Sequence, residues 1–208
     1  ELGFEEFKTS TYIKETLKEL GYNPISILNT GVLVYIEGKE KECYGFRADI
    51  DALPIQEETG VSFVSTHERK MHACGHDGHT SILLGFAEGL KDIKPKKSIL
   101  LIFQPAEEGA PEGEEGGAKL MVKGGVLENP KVDVIFGLHI NAQTEVGKIK
   151  YRPKGTMAAS DLYTIKINGK QTHGAYPWLG IDPITTAAQI IMGIQTIVSR
   201  NLNITESA

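Results

Sequence analysis

Cysteine is nearly absent from this chain: Cys43 and Cys74 are its only two in 208 residues. Two thiols cannot build the disulfide framework that staples small secreted domains, and a chain of this length can hold together on a buried core. Sparse cysteine predicts a reducing, cytoplasmic setting. Glu1 is not an initiator methionine, which leaves room for a leader removed ahead of it. No apolar run approaches the ~18 residues of a membrane span, so no membrane partner is expected. Positive charge is also short, with 22 basic residues against 27 acidic and a net charge of −5. That balance argues against nucleic acid as a partner, and Lys94-Pro95-Lys96-Lys97 reads as a solvated loop. A Gly-rich phosphate loop, a serine nucleophile elbow and a dinucleotide fingerprint are all missing. No internal repeat or low-complexity segment is present. The acceptor triplet Asn203-Ile204-Thr205 is of a kind common by chance.

What is there concentrates in ten residues, MHACGHDGHT, from Met71 to Thr80. His72, Cys74, His76, Asp77 and His79 all carry side chains able to bind a metal or move a proton. In extended backbone, Cys74 and His76 would face the same way and converge on one ion. A thiolate beside an imidazole favours zinc or a related transition metal over calcium or magnesium.

The surrounding pattern is α/β. Phe4, Phe7, Ile13, Leu17 and Leu20 have mostly helical spacing, and Gly21 stops the helix. Strands are predicted at Val32–Ile36 and Cys43–Ala48, joined by the turn-like Glu37-Gly38-Lys39. The second leads into Asp49 and Asp51. Leu83, Phe86, Ala87 and Leu90 predict a helix after the cluster, with His79 in or beside its first turn. The run at 98–103 reads as a strand buried on both faces, delivering Glu107 and Glu108. Ala118–Val122 reads as a short helix, and the run at 132–138 as another buried strand ending on His139. Three strands thus deliver Asp49, Glu107 with Glu108, and His139 to one sheet edge, where open α/β sheets place their chemistry. From about residue 153 the pattern changes. Leu162–Ile167 alternates like a half-exposed antiparallel strand. Asp182 is placed to cap a helix with Pro183 at its first position and Ile184, Ala187, Ala188, Ile191, Ile194 and Val198 as its stripe.

Adjacent glutamates point in different directions, so Glu107-Glu108 offers a metal ligand and a general base from one loop. With Cys74, His76 and His139 this is equipment for metal-assisted amide hydrolysis. FRADIDALPIQEETG, MHACGHDGHT, FQPAEEG, FGLH and GKQTHGAYPWLGIDP occur in this order. Together they closely resemble the metal-dependent N-acyl-amino-acid amidohydrolases. That group includes hippurate hydrolases and auxin-conjugate hydrolases, within the wider aminoacylase and carboxypeptidase superfamily.

The resemblance implies that Cys74, His76, Glu108 and His139 bind metal and that Glu107 is the catalytic base. It implies that Asp49, near the metals, orients a ligand. Two close divalent ions are implied, usually zinc or manganese, with nickel and cobalt as further options. The implied fold is a mixed, largely parallel sheet flanked by helices (residues 1–152) with the start of an inserted α+β lid (153–208). The lid carries homodimerisation in such proteins, and His173, in a stretch matching GxxxHGAxPxxGxDP, resembles a histidine that reaches substrate in the partner subunit. The expected activity is hydrolysis of a small N-acyl amino acid to a carboxylate and a free amino acid. A dipeptidase or carboxypeptidase of the same superfamily is the near alternative. A metal-binding dimerisation fragment without catalysis is the distant one, and Glu107 speaks against it, because metal storage has no use for a base. The chain stops within the lid, before the family's last metal-binding histidine, so it reads as a fragment.

Overall fold

The apolar run at 98–103 becomes the central strand of a sheet, and the sheet places the rest. The computed structural model describes residues 1–157 and 162–202; the triplet at 203–205 lies outside them. Two compact units are present, Glu1–Gln143 and Thr144–Ala208.

In the first unit α1 (Phe7–Glu19) is followed by β1 (Ile25–Ile27), β2 (Gly31–Ile36) and β3 (Glu40–Asp49). After a long loop come α2 (His76–Leu90), β4 (Lys97–Gln104), α3 (Gly117–Lys123) and β5 (Val134–Gly137). The sheet order is β1-β2-β4-β3-β5. β3 is parallel to β4 and β5, whereas β2 is antiparallel to β1 and β4. β2 and β3 are consecutive in sequence, yet β4 lies between them. Glu37-Gly38-Lys39 is therefore no hairpin. It passes the end of β4, with Lys39 and Glu40 donating their N–H groups to the Pro95 and Lys96 carbonyls.

Alternation along β4 builds the layers. Ile99, Leu101 and Phe103 join Ile13 and Leu17 of α1 and Leu83 and Ala87 of α2 on one face. Leu100 and Ile102 meet Leu33, Cys43, Met121 of α3 and Val126 on the other. Each such fully buried Leu, Ile or Phe contributes about 1.5–3 kcal/mol of transfer free energy. Helix α1 starts later than its apolar pattern suggests, because Phe4 sits in a preceding turn with φ 59°. It ends with Gly21 in the left-handed conformation, φ 89°.

The expectation that 132–138 is buried fails. β5 is exposed along its length. It is an edge strand paired only with β3 among the described residues, and an apolar run does not distinguish centre from edge.

In the second unit, Asp182 caps α4 (Pro183–Thr196) by accepting the Ile184 N–H at 2.8 Å, with Pro183 in the first turn. The stripe residues Ile184, Ile191, Ile194 and Val198 are exposed. The alternating segment 162–167 is not a strand. Alternation marks a chain able to pair, and a ladder forms only where a partner lies beside it; Lys170 alone bridges, to Ile181. No helix among the described residues is long and apolar enough to cross a membrane.

Candidate metal centre

Because β3, β4 and β5 are parallel, their C-terminal ends share one edge of the sheet. Asp49 ends β3, Glu107 and Glu108 follow β4, and His139 follows β5. The ten-residue cluster enters from α2, whose first residue is His76. Cys74 and His76 do converge, but not through extended backbone. Cys74 lies in a turn, and Gly75 (φ 86°) reverses the chain into the helix. Gly75 is required twice over. The left-handed conformation suits glycine, and a Cβ there would strike the Ile140 side chain.

The histidine rings are oriented by hydrogen bonds at Nδ1. His76 Nδ1 faces Asp51 Oδ1 at 3.3 Å, so its hydrogen sits on Nδ1 and Nε2 is bare. His139 Nδ1 donates to the Ile140 carbonyl at 2.6 Å, leaving Nε2 at 3.3 Å from Cys74 Sγ. His79 donates from Nδ1 to Asp49 at 2.6 Å, and its Nε2 accepts the Ile140 N–H at 2.9 Å. Both nitrogens of His79 are engaged. It is a strut between the end of β3 and the segment carrying His139.

The bare atoms fit a divalent ion. His76 Nε2 and Glu108 Oε1 are buried without a hydrogen-bond partner and lie 3.5 Å apart. Glu107 Oε2 is 3.7 Å and Asp49 Oδ2 3.5 Å from the same nitrogen. Donors about 2.0–2.3 Å from one tetrahedral ion stand about 3.3–3.8 Å apart. Cys74, His76 and His139 also place their ligand atoms within 4.8 Å of one another, as do His76, Glu107 and Glu108. Asp49, Asp51, Glu107 and Glu108 gather four carboxylates, and among the described residues Arg47, 2.7 Å from Asp49, is the lysine or arginine paired with them. A divalent cation offsets much of the negative charge of such a set.

Residues 45–204 match the Peptidase family M20/M25/M40. The chain belongs to this family. It is 44% identical over 212 residues to an N-acetyl-L-cysteine deacetylase of Bacillus subtilis, covering all of this chain and 49% of that protein. An N-acetyldiaminopimelate deacetylase of Shouchella clausii is 40% identical, with all of this chain and 55% of that protein covered. The chain thus spans about half the length of these curated relatives. Among solved structures, a protein from methicillin-resistant Staphylococcus aureus matches with TM-score 0.81 and 36% identity, over 100% of this chain and 55% of that one. A Bacillus subtilis protein described as a dinuclear metal-binding peptidase of the M20 family matches with TM-score 0.64 and 41% identity, over 71% and 40%.

In this M20 site the protonation pattern follows from burial and the crowded carboxylates. Burial pushes the Cys74 thiol up, and Glu108, Glu107 and Asp49 push it further, to about 12. Burial opposes charge on His76, but Asp51, Asp49 and Glu108 outweigh it and its pKa is raised. Burial and then Glu108 raise Glu107, against the opposing pull of His76 and Arg47. For Asp51, burial is overcome by the bonds from His76 and from the Glu108 and Glu107 backbone, and its pKa falls.

With the free thiol at about 12 and thiolate the form that binds metal, a Cys74 ligand would lose its proton on loading at pH 7. Loading is then expected to release about one proton from Cys74, so affinity falls as pH falls. Calorimetry in buffers of differing ionisation enthalpy measures this, and zero release would remove Cys74 from the ligand set. Metal-free Cys74, kept as a thiol by its neighbours, should alkylate slowly at neutral pH.

The sequence offers His79 as one of five candidate donors in the cluster and Asp51 beside Asp49 after β3; the strut role of His79 and the pairing of Asp51 with His76 are visible only in the fold. His72 lies outside the ligand groups; burial lowers its pKa, with the Asp77 charge acting against it. His173 belongs to the second unit, on an exposed turn. Its Nδ1 accepts the Ala175 N–H at 3.1 Å, which puts the ring hydrogen on Nε2 and presents an outward donor.

Proposed function

We propose that the chain is the metal-binding part of a cytoplasmic hydrolase that cleaves the amide of an N-acyl amino acid, giving a carboxylate and a free amino acid. The observation that carries this reading is the pair of bare, buried donors, His76 Nε2 and Glu108 Oε1, with the Glu107 carboxyl beside them. Cys74, His76, Glu108 and His139 would hold two divalent ions, zinc or manganese before nickel or cobalt. The description of the Bacillus subtilis relative as dinuclear supports the number. Bound ions would supply Lewis acidity and lower the pKa of water to about 7.

The chain's own residues do the rest. Glu107 is 40% exposed on its side chain, so substrate and water reach it, and burial with the Glu108 charge raises its pKa, which strengthens it as a base. It takes the proton from attacking water and returns it to the leaving amine. Asp51 and Asp49 fix ring orientation, Asp51 on His76 and Asp49 through His79. His173, in a lid starting at about residue 153, would donate its Nε2–H to the oxyanion in the partner subunit of a homodimer.

The names of the relatives support N-acetylated amino acids as the first substrates to test. The test is metal analysis of the full chain together with turnover of a panel of N-acyl amino acids and dipeptides. Two divalent ions per chain and preference for N-acyl amino acids are expected. Faster dipeptide turnover would move the enzyme to the peptidase side of the family, and metal-free activity would remove the mechanism.

A further inference from the structure

Glu6 takes no part in the site as described. It sits one residue before α1 and is fully buried, 0% exposed, with no ion pair among the described residues. Acidic side chains are almost never buried so completely without a charged partner. Its Oε1 accepts the Ala106 N–H at 2.9 Å, across 100 residues of sequence. Its Oε2 is buried without a hydrogen-bond partner.

Ala106 is the residue before Glu107 and Glu108, and it is itself buried. Its φ of 48° lies in the left-handed region, which is disfavoured for a residue with a Cβ. Such a conformation persists only where neighbours impose it. Both peptide groups of Ala106 are held, the N–H by Glu6 and the carbonyl by the Gly117 N–H at 3.0 Å. The Glu108 N–H is then taken by Asp51 Oδ2 at 2.9 Å. Gly3 backs the same turn. A Cβ at Gly3 would strike the Gly109 carbonyl and come within 3.1 Å of Ala106 Cα.

We propose that Glu6 is a positioning residue, whose buried carboxyl holds the Ala106 peptide and so sets the directions in which the Glu107 and Glu108 side chains leave the turn. Removing the acceptor would leave the Ala106 amide buried and unpaired, and would free the turn to leave the left-handed region. A shift of about 1 Å at such a site costs on the order of 10²-fold in rate. The consequence for rate rests on the reading of Glu107 as base and Glu108 as ligand; the consequence for the turn does not.

The experiment uses the full chain and two variants of matched size. Glu6→Gln keeps an acceptor oxygen, and Glu6→Met fills the space without one. Amide exchange at Ala106, followed by NMR, should be slow in wild type and Glu6→Gln and about tenfold or more faster in Glu6→Met. Glu6→Met should also lower kcat by about 10- to 100-fold with KM within about threefold, and weaken zinc binding in a chelator competition by about tenfold, while Glu6→Gln stays within about threefold throughout. Unchanged exchange in Glu6→Met overturns the proposal whatever the rate does. Faster exchange with kcat and zinc affinity both unchanged overturns it as well. If wild type hydrolyses nothing on the panel, the functional reading fails alone, and exchange with zinc affinity still decides the role of Glu6. If Glu6→Met does not fold, fast Ala106 exchange in wild type, or loss of zinc affinity in Glu6→Gln, overturns the proposal. Slow exchange with Glu6→Gln unchanged then supports it.

Discussion

Glu107→Gln is expected to keep its metal and lose turnover by on the order of 10² to 10⁴. The two glutamates are adjacent but differently placed. Glu108 Oε1 is buried, unpartnered and 3.5 Å from the bare nitrogen of His76, the position of a ligand. Glu107 is the more exposed, and burial with the neighbouring Glu108 charge raises its pKa, which makes its carboxylate a better proton acceptor. An amide in place of the Glu107 carboxyl preserves shape but cannot take a proton from water. Glu108→Gln, by contrast, replaces a charged ligand by a weak neutral donor and is expected to lose metal. Metal content and kcat measured on both variants separate the roles. Metal loss in Glu107→Gln with retention in Glu108→Gln would invert them.

His173→Ala is expected to lower kcat by about 10²-fold or more with metal content unchanged, as for an oxyanion-hole donor. The hydrogen bond from Ala175 N–H to Nδ1 leaves Nε2 as the ring donor, which an oxyanion requires. The sharper test mixes two inactive full-length variants, His173→Ala and Glu107→Ala, under conditions that exchange subunits. If His173 acts across a homodimer, one site in each mixed dimer carries both an intact Glu107 and an intact His173. Activity should reappear at up to about half the wild-type value per site. Mixed dimers that form and stay inactive would place His173 within its own subunit or outside catalysis.

Much of this protein was legible locally. Thiol, imidazole and carboxylate packed into ten residues signal metal chemistry wherever the chain goes, because ligand identity is a property of the residue. The apolar run at 98–103 is a strand by composition, and in the sheet it is buried on both faces. Asp182-Pro183 starts a helix for reasons confined to four residues. Order along the chain also placed Asp49, Glu107, Glu108 and His139 after strands, and parallel strands bring their C-terminal ends to one edge.

Tertiary structure decided what depends on partners far apart. Asp51 meets His76 across 25 residues, Asp49 meets His79 across 30, and Glu6 meets Ala106 across 100. No local period encodes such pairs, since each residue alone is an ordinary polar side chain. The same holds for β4 lying between β2 and β3, for β5 as an exposed edge, and for 162–167 remaining unpaired. Strand propensity belongs to a segment, whereas a ladder belongs to two. At Gly75, where the sequence suggests extended backbone, the fold has a left-handed turn with the Ile140 side chain packed against it, and that contact depends on a segment 65 residues away.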